Sequence, residues 1–482
     1  MLIRGAEVGG QIVDVRCTDG RVTEIGQGQT PRAGEEILEA HGGALLPGLH
    51  DHHIHLHALA AALASVRCGP PEVEDREALA QALAAPPDAR GWLRGTGYFE
   101  SVAGPLDRFV LDRFRDDIPV RVQHRSGAMW FLNSRALEAL GVEDRTGTGR
   151  THGEEEVATI ERDGRGRATG RLFRADGWLR QRLPSAAAPD LGLVGRRLAG
   201  YGVTTITDAT ATNGADERAR FRAAQASGAL PQRLLMMGAL EAGGPTEEGD
   251  SMLRVDAHKI MLDEPALPNL DRLVETLRRS HEAGRPVAIH TVTRAEIHFA
   301  LAALESAGSL DGDRLEHASI APCEAIEMVK QLGLTIVTQP NFVAERGDAY
   351  QVNVDERDRP HLYRVKSWLD AGVRLGGGTD APFGHPDPWR AMRAAVERRT
   401  PTGNTLGKAE CVSPETAFAL FLPEFSRAPQ RTGEAPPAVG LGSPADLCLL
   451  ERPWRQARLN LSSEYVSATL RGGALIYKAQ EP

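Results

Sequence analysis

A chain of 482 residues is long enough for two or three ordinary domains, or for one large barrel with an appended module. Its 41% hydrophobic and 25% charged residues are typical of a folded globular protein, and a formal net charge of −9 argues against general nucleic-acid affinity. The five cysteines form no CxxC pair and suit reduced thiols, while no run approaches the ~18 apolar residues of a membrane span or the core of a signal peptide, so a cytoplasmic location off the membrane is expected.

In chain order, residues 1–47 alternate short apolar runs with turns, and Asp19-Gly20 between two such runs predicts a hairpin in a small β-module. Pro47-Gly48 then introduces "HDHHIHLH", residues 50–57, on a predicted strand. Residues 67–190 break the later rhythm and are expected to form a long insertion after this strand, able to roof a site. They carry Trp92, Tyr98, Phe99, Trp130 and Phe131, aromatics that line a pocket or form the insertion's own core, and "GRGRATGRLFR" (164–174), a predicted hairpin with solvated arginines.

Compact apolar runs follow at 202–210, 233–240, 257–262, 286–292, 314–320, 334–340 and 373–382, separated by helical stretches such as "NLDRLVETLRRSHEAG" that end in glycine. With the first strand they make eight, the number that closes a (β/α)8 barrel. Residues 431–482 return to β-rich patterning. The expected fold is therefore α/β, a TIM-like barrel over 48–430 with an insertion, and a small β-sandwich domain built by both chain ends, 1–47 and 431–482.

Barrel sites lie at the carboxyl ends of the strands, so polar residues ending apolar strands are informative. Lys259 in "AHKIML", His290 in "VAIH", His317 in "RLEH" and Asp380 in "GGGTDAP" end four of the later strands. One such histidine is commonly a hydrogen-bonded core residue, but four later strands ending in Lys, His, His and Asp, in chain order after an HxH, are much harder to explain that way. On the first strand, parity places Asp51, His53, His55 and His57 on one face and His50, His52, Ile54 and Leu56 on the other. Ile54 and Leu56 should pack outward, which leaves His53 with His55, or His55 with His57, as the inward metal-gripping pair.

"LPGLHDHHIHLH" resembles the PGxxDxHxH signature of the amidohydrolase superfamily, and aligning its aspartate on Asp51 selects His53 and His55. That resemblance implies Lys259, His290, His317 and Asp380 as the remaining ligands. "RSGAMWFLNSRALEALG", "DAHKIMLDE", "TDAPFGHPDPWRAMRAAVER" and "GSPADLCLLE" are similar to the branch that includes N-substituted formamide deformylases. One departure is Ala128, in "RSGAM", where that branch usually has a histidine; His124 or His385 is the candidate replacement as a substrate-polarising group. His52 and His57 are expected in supporting positions, and His258 faces outward beside Lys259.

The resemblance implies zinc, two ions bridged by a carbamylated Lys259, with a single metal as the alternative. It further implies hydrolysis of a non-peptide C–N bond, in an N-acyl or N-formyl amine or a cyclic amide, by metal-activated water with Asp380 as proton shuttle. A cyclic-amidine deaminase releasing ammonia is the alternative enzyme, and a barrel that only binds or regulates is the alternative of another class. His385, His124, Tyr98 and Trp130 are the candidate contacts to a small-molecule substrate. Arg398 or Arg399 either meets an anionic substrate or is solvated at a helix end, and a homodimer is the default assembly.

Overall fold

The computed structural model describes residues 1–142, 160–183, 189–243, 252–427 and 439–480. The chain forms two compact units, Met1–Leu56 with Leu191–Pro482, and His57–Asp190. The expected insertion, 67–190, falls in the second unit, and the expected boundary at residue 431 lies outside the described residues.

In the first unit, eight parallel strands make one sheet: β1 (Leu49–Ile54), β2 (Val203–Asp208), β3 (Arg233–Gly238), β4 (Leu253–Ile260), β5 (Val287–Thr291), β6 (Arg314–His317), β7 (Thr335–Thr338) and β8 (Arg374–Gly377). They neighbour one another in chain order. β-Branched runs such as "VTTITD" in β2 are buried at every position, as expected of strands covered on both faces by helices. Beyond the last rung of β8 the backbone meets β1, where the Asp380 N–H donates to the His53 carbonyl at 2.8 Å and the His55 N–H to the Ala381 carbonyl at 2.9 Å. Gly378 permits this approach, since a Cβ there would lie 2.5 Å from the His53 Cβ.

The covering helices are punctuated locally. Asn269 caps Leu270–Glu282 by accepting from the Asp271 and Arg272 N–H groups, and Leu273, Val274 and Leu277 are its buried apolar residues. Thr293 and Glu296 form a capping box on Arg294–Ala307. Gly284 and Gly308 follow these two helices at φ 68° and 82°, a region that favours glycine.

The chain ends build two four-stranded sheets around one core. One takes Leu2–Val8, Gln11–Thr18, Arg21–Gly26 and Ile37–Glu39; the other takes Leu447–Leu450, Val466–Arg471 and Ala474–Lys478 from the C-terminal end with Leu45–Pro47 from the N-terminal end. Ile3, Val15 and Val22 pack in the same apolar cluster as Leu447, Leu449 and Leu470. The Asp19-Gly20 turn has positive φ at both residues (49° and 75°), the type I′ geometry that suits the twist of a two-residue hairpin.

The second unit is organised by a six-stranded sheet in the order Ile160–Arg162, Ala168–Phe173, Met129–Leu132, Val120–His124, Leu93–Tyr98 and Val66–Arg67. Apolar clusters form around it, one with Leu93, Tyr98, Val122 and Phe131, another with Trp92, Trp130, Leu132 and Leu172. The expected hairpin at 164–174 is the turn and second strand of the antiparallel pair Ile160–Arg162 and Ala168–Phe173. No helix among the described residues is long and apolar enough to cross a membrane.

Candidate metal centre

At the carboxyl end of the barrel, His53 of β1, His317 of β6 and Asp380 beyond β8 each present a ligand atom, all within 4.8 Å of one another and all buried. His55 and His290 complete the ring of imidazoles. The His53 ring lies 5.3 Å from that of His55 and 4.7 Å from that of His317, and the His290 ring lies 4.5 Å from His317. Two Nε2 atoms face the same carboxylate oxygen, Asp380 Oδ1, at 3.5 Å from His53 and 3.3 Å from His55.

On three of these imidazoles the other ring nitrogen is already occupied. His53 Nδ1 meets Glu316 Oε2, His55 Nδ1 lies 2.9 Å from Thr210 Oγ1, and His317 Nδ1 lies 2.8 Å from Gln339 Oε1. An Nδ1–H donated to an oxygen fixes the tautomer that leaves Nε2 with a lone pair, the form a metal ligand requires. Burial also pushes the histidines toward the neutral form: it lowers His53 and His290, and takes His317 down to about 3.

Lys259, on β4, is 4% exposed, and its Nζ has no hydrogen-bond partner. Burial lowers its pKa from 10.5 to about 8, against the opposing attraction of Glu316. For Asp380, burial favours the neutral acid, but the surrounding imidazoles of His55, His53 and His317 outweigh it and hold the carboxyl below its usual range. His317 and Asp380 both adopt left-handed backbone, at φ 68° and 54°, where non-glycine residues are uncommon and often functional. These donors fit a divalent metal: neutral imidazoles, an ionised carboxylate and an unpartnered buried amine, with no carboxylate among the described residues within 4.0 Å of that amine.

The other histidines of the opening stretch are placed apart from this ring. His50 Nε2 lies 2.9 Å from Thr207 Oγ1, and His52 Nε2 donates to the Leu422 carbonyl at 2.8 Å while its ring stacks on Phe425. β1 ends at Ile54, so His55 follows the strand and His57 is on the helix Leu56–Leu63, in the second unit. Asp51 accepts from the Thr379 N–H at 3.0 Å and from its hydroxyl at 2.5 Å, and so ties β1 to the turn that bears Asp380.

Among the proposed substrate contacts, His385 lies in that same turn, with its N–H on Glu345 Oε1 at 3.0 Å. Tyr98, Trp130 and His124 belong to the second unit. There Tyr98 is fully buried with its hydroxyl on the Gly104 carbonyl, Trp130 donates its indole N–H to Asp176 at 3.0 Å, and His124 lies between Ser126 and Glu100. Arg398 follows neither sequence expectation: it is fully buried and donates to the carbonyls of Leu362, Tyr363 and Leu406. Arg399 donates to the Gly403 carbonyl.

Glu316, Thr210 and Gln339 are not the polar residues that end their strands' apolar runs, and nothing in their own positions marked them as supports of the ring. "RLEH" did carry a signal, two opposite charges at alternate positions of a strand with no solvent face.

An eight-stranded parallel barrel with histidines and an aspartate gathered at its carboxyl end is the architecture of the metal-dependent barrel hydrolases. Residues 36–477 match the amidohydrolase family, and the chain belongs to that family and is a hydrolase. It is 27% identical to the N-substituted formamide deformylase of Arthrobacter pascens, over 98% of this chain and 94% of that protein. Its fold is similar to that of an uncharacterised metal-dependent hydrolase from Pyrococcus horikoshii OT3 (TM-score 0.66, 19% identity, 87% of this chain and 91% of that one). It is also similar in fold to a guanine deaminase from C. acetobutylicum (TM-score 0.53, 10% identity, 99% of each chain).

Proposed function

We propose that the protein hydrolyses a non-peptide carbon–nitrogen bond, in an N-acyl or N-formyl amine or a cyclic amide, with zinc held by His53, His55, Lys259, His290, His317 and Asp380. The observation that carries this reading is the oriented ring itself, three imidazoles fixed through Nδ1 around Asp380, beside a buried lysine with no partner. The deformylase relative supports the substrate class.

When bound, the metal supplies Lewis acidity, polarising a carbonyl and acidifying water. Lys259 is suited to carry a carbamate, because burial lowers its pKa to about 8 and so favours the neutral amine that adds carbon dioxide; the carboxylate so formed would supply a further ligand to the bound metal. Asp380 accepts the proton of the attacking water at its carboxylate and delivers it to the departing nitrogen. Asp51 and Thr379 hold the turn that fixes Asp380 in place for both transfers. The five free cysteines support a cytoplasmic setting.

The test is a substrate panel on zinc- and bicarbonate-loaded protein: N-formyl amines, N-acyl amines, cyclic imides and cyclic amidines, with amine, ring-opened acid and ammonia measured separately. Amine or ring-opened acid that disappears in His53→Ala is the expected result. Ammonia from the amidines alone overturns the assignment in favour of a deaminase.

A further inference from the structure

We propose that Glu316 makes His53 the anchoring ligand of the metal centre, and that a buried column of charge through the barrel, Asp256–Arg314–Glu316, holds it to that role. The proposal rests on the metal-centre reading above and concerns how unequal its ligands are.

Glu316 has no solvent exposure. Burying an isolated carboxylate costs several kcal/mol, so its retention requires partners. It has them on both oxygens: Oε2 meets His53 Nδ1, and Oε1 lies 2.7 Å from Arg314 Nε. Arg314 in turn places Nη2 3.3 Å from Asp256 Oδ2. The two arginine contacts are close ion pairs rather than aligned hydrogen bonds. The column therefore joins β4, β6 and β1, from a half-buried Asp256 to one imidazole.

The parity of β6 explains how one strand supplies both a ligand and its neighbour's support. Glu316 and His317 are consecutive, and regular pleating sends consecutive side chains to opposite faces. At His317 the backbone turns to φ 68°, so the regular alternation ends there; Glu316 reaches His53 Nδ1, and the His317 ring lies 4.7 Å from the same imidazole.

The supports of the three imidazoles differ in kind. His53 has an acidic side chain, His55 a threonine hydroxyl and His317 an amide oxygen. Hydrogen bonds to an ionised acceptor are roughly twice as strong as neutral ones, and a carboxylate partner raises the basicity of the imidazole that faces the metal. His53 is therefore the strongest and most rigid of the three donors, and loss of Glu316 weakens the metal more than loss of either neutral partner.

The experiment is zinc titration of the metal-free full-length protein against a chromophoric chelator, with melting of each metal-free form measured alongside. Glu316→Gln keeps the shape and the acceptor but removes the charge, and is expected to weaken zinc about 10- to 100-fold. Thr210→Val removes the neutral partner of His55 and is expected to change zinc affinity by less than about 10-fold. Glu316→Asp keeps the charge for Arg314 but shortens the reach to His53, so it also loses zinc affinity and decides the matter if the glutamine variant fails to fold. Wild-type affinity in both Glu316 variants, or a change confined to metal-free melting, overturns the proposal while leaving the metal centre intact. Equal damage from Thr210→Val removes the claimed ranking. Failure of the wild type to bind zinc overturns the metal centre and the proposal together.

Discussion

Replacing Lys259 by methionine isolates what its burial costs. The side chain is 4% exposed, its Nζ has no hydrogen-bond partner, and burial takes its pKa from 10.5 to about 8. That displacement corresponds to about 3 kcal/mol against the folded state at neutral pH, as an order of magnitude. Lys259→Met keeps the length and apolar volume and removes the ammonium, so the metal-free variant should be more stable than the wild type.

A melting entropy of about 2 cal/mol/K per residue gives about 1 kcal/mol/K for a chain of this length, hence a rise in Tm of about 3 °C. The sign with pH follows from linkage. Below pH 8 the lysine is charged in both states and the full penalty is present. Between 8 and 10.5 the unfolded chain holds a proton that the folded chain lacks, so wild-type stability gains on the variant and the gap closes. Calorimetry of metal-free protein in carbon dioxide-depleted buffer at pH 7 and pH 10 reads both effects. A variant less stable than wild type at pH 7, or a gap independent of pH, refutes the picture of an unpartnered buried ammonium.

Other consequences are as direct. Gly378→Ala places a Cβ 2.5 Å from the His53 Cβ and 2.9 Å from its backbone nitrogen, so β1 or the β8 turn must shift; zinc affinity should fall about 10-fold or more, read by chelator competition. Arg398→Met leaves three buried carbonyls without their donor and should cost about 3 kcal/mol or more, measured by denaturant unfolding against an exposed control such as Arg399→Met. Asp380→Asn should retain zinc through the imidazoles while turnover falls by about 100-fold or more, the scale of a general acid–base group.

The barrel was legible because most of its strands are short runs of apolar and β-branched residues bounded by turn signals, the pattern of strands buried on both faces. The ring of ligands was legible for a related reason: a polar residue closing such a run has to be paired or used. What the sequence did not disclose is tertiary. Thr210 and Gln339 are ordinary polar residues beside strand ends, and their pairing with His55 and His317 joins different strands. Glu316 stands one residue before the polar end of its strand, and regular pleating does not foresee the left-handed residue at position 317.

The choice between His53 with His55 and His55 with His57 depended on where β1 stops. It stops at Ile54, and the helix from Leu56 takes His57 off the strand. In the second unit, period-2 patterning is blurred because its sheet mixes parallel and antiparallel neighbours with apolar clusters around it, and Tyr98 and Trp130 satisfy their polar atoms there.

The most direct test of the central claim is the zinc content per chain of purified, reloaded protein, measured with turnover of the best panel substrate in the same samples, for the wild type, His53→Ala and Lys259→Ala. About two equivalents are expected in the wild type, as a lysine-bridged centre requires. His53→Ala should lose both metal and turnover, and Lys259→Ala should lose the bridged pair. Metal content and turnover untouched by either substitution would rule out a metal centre held by these residues.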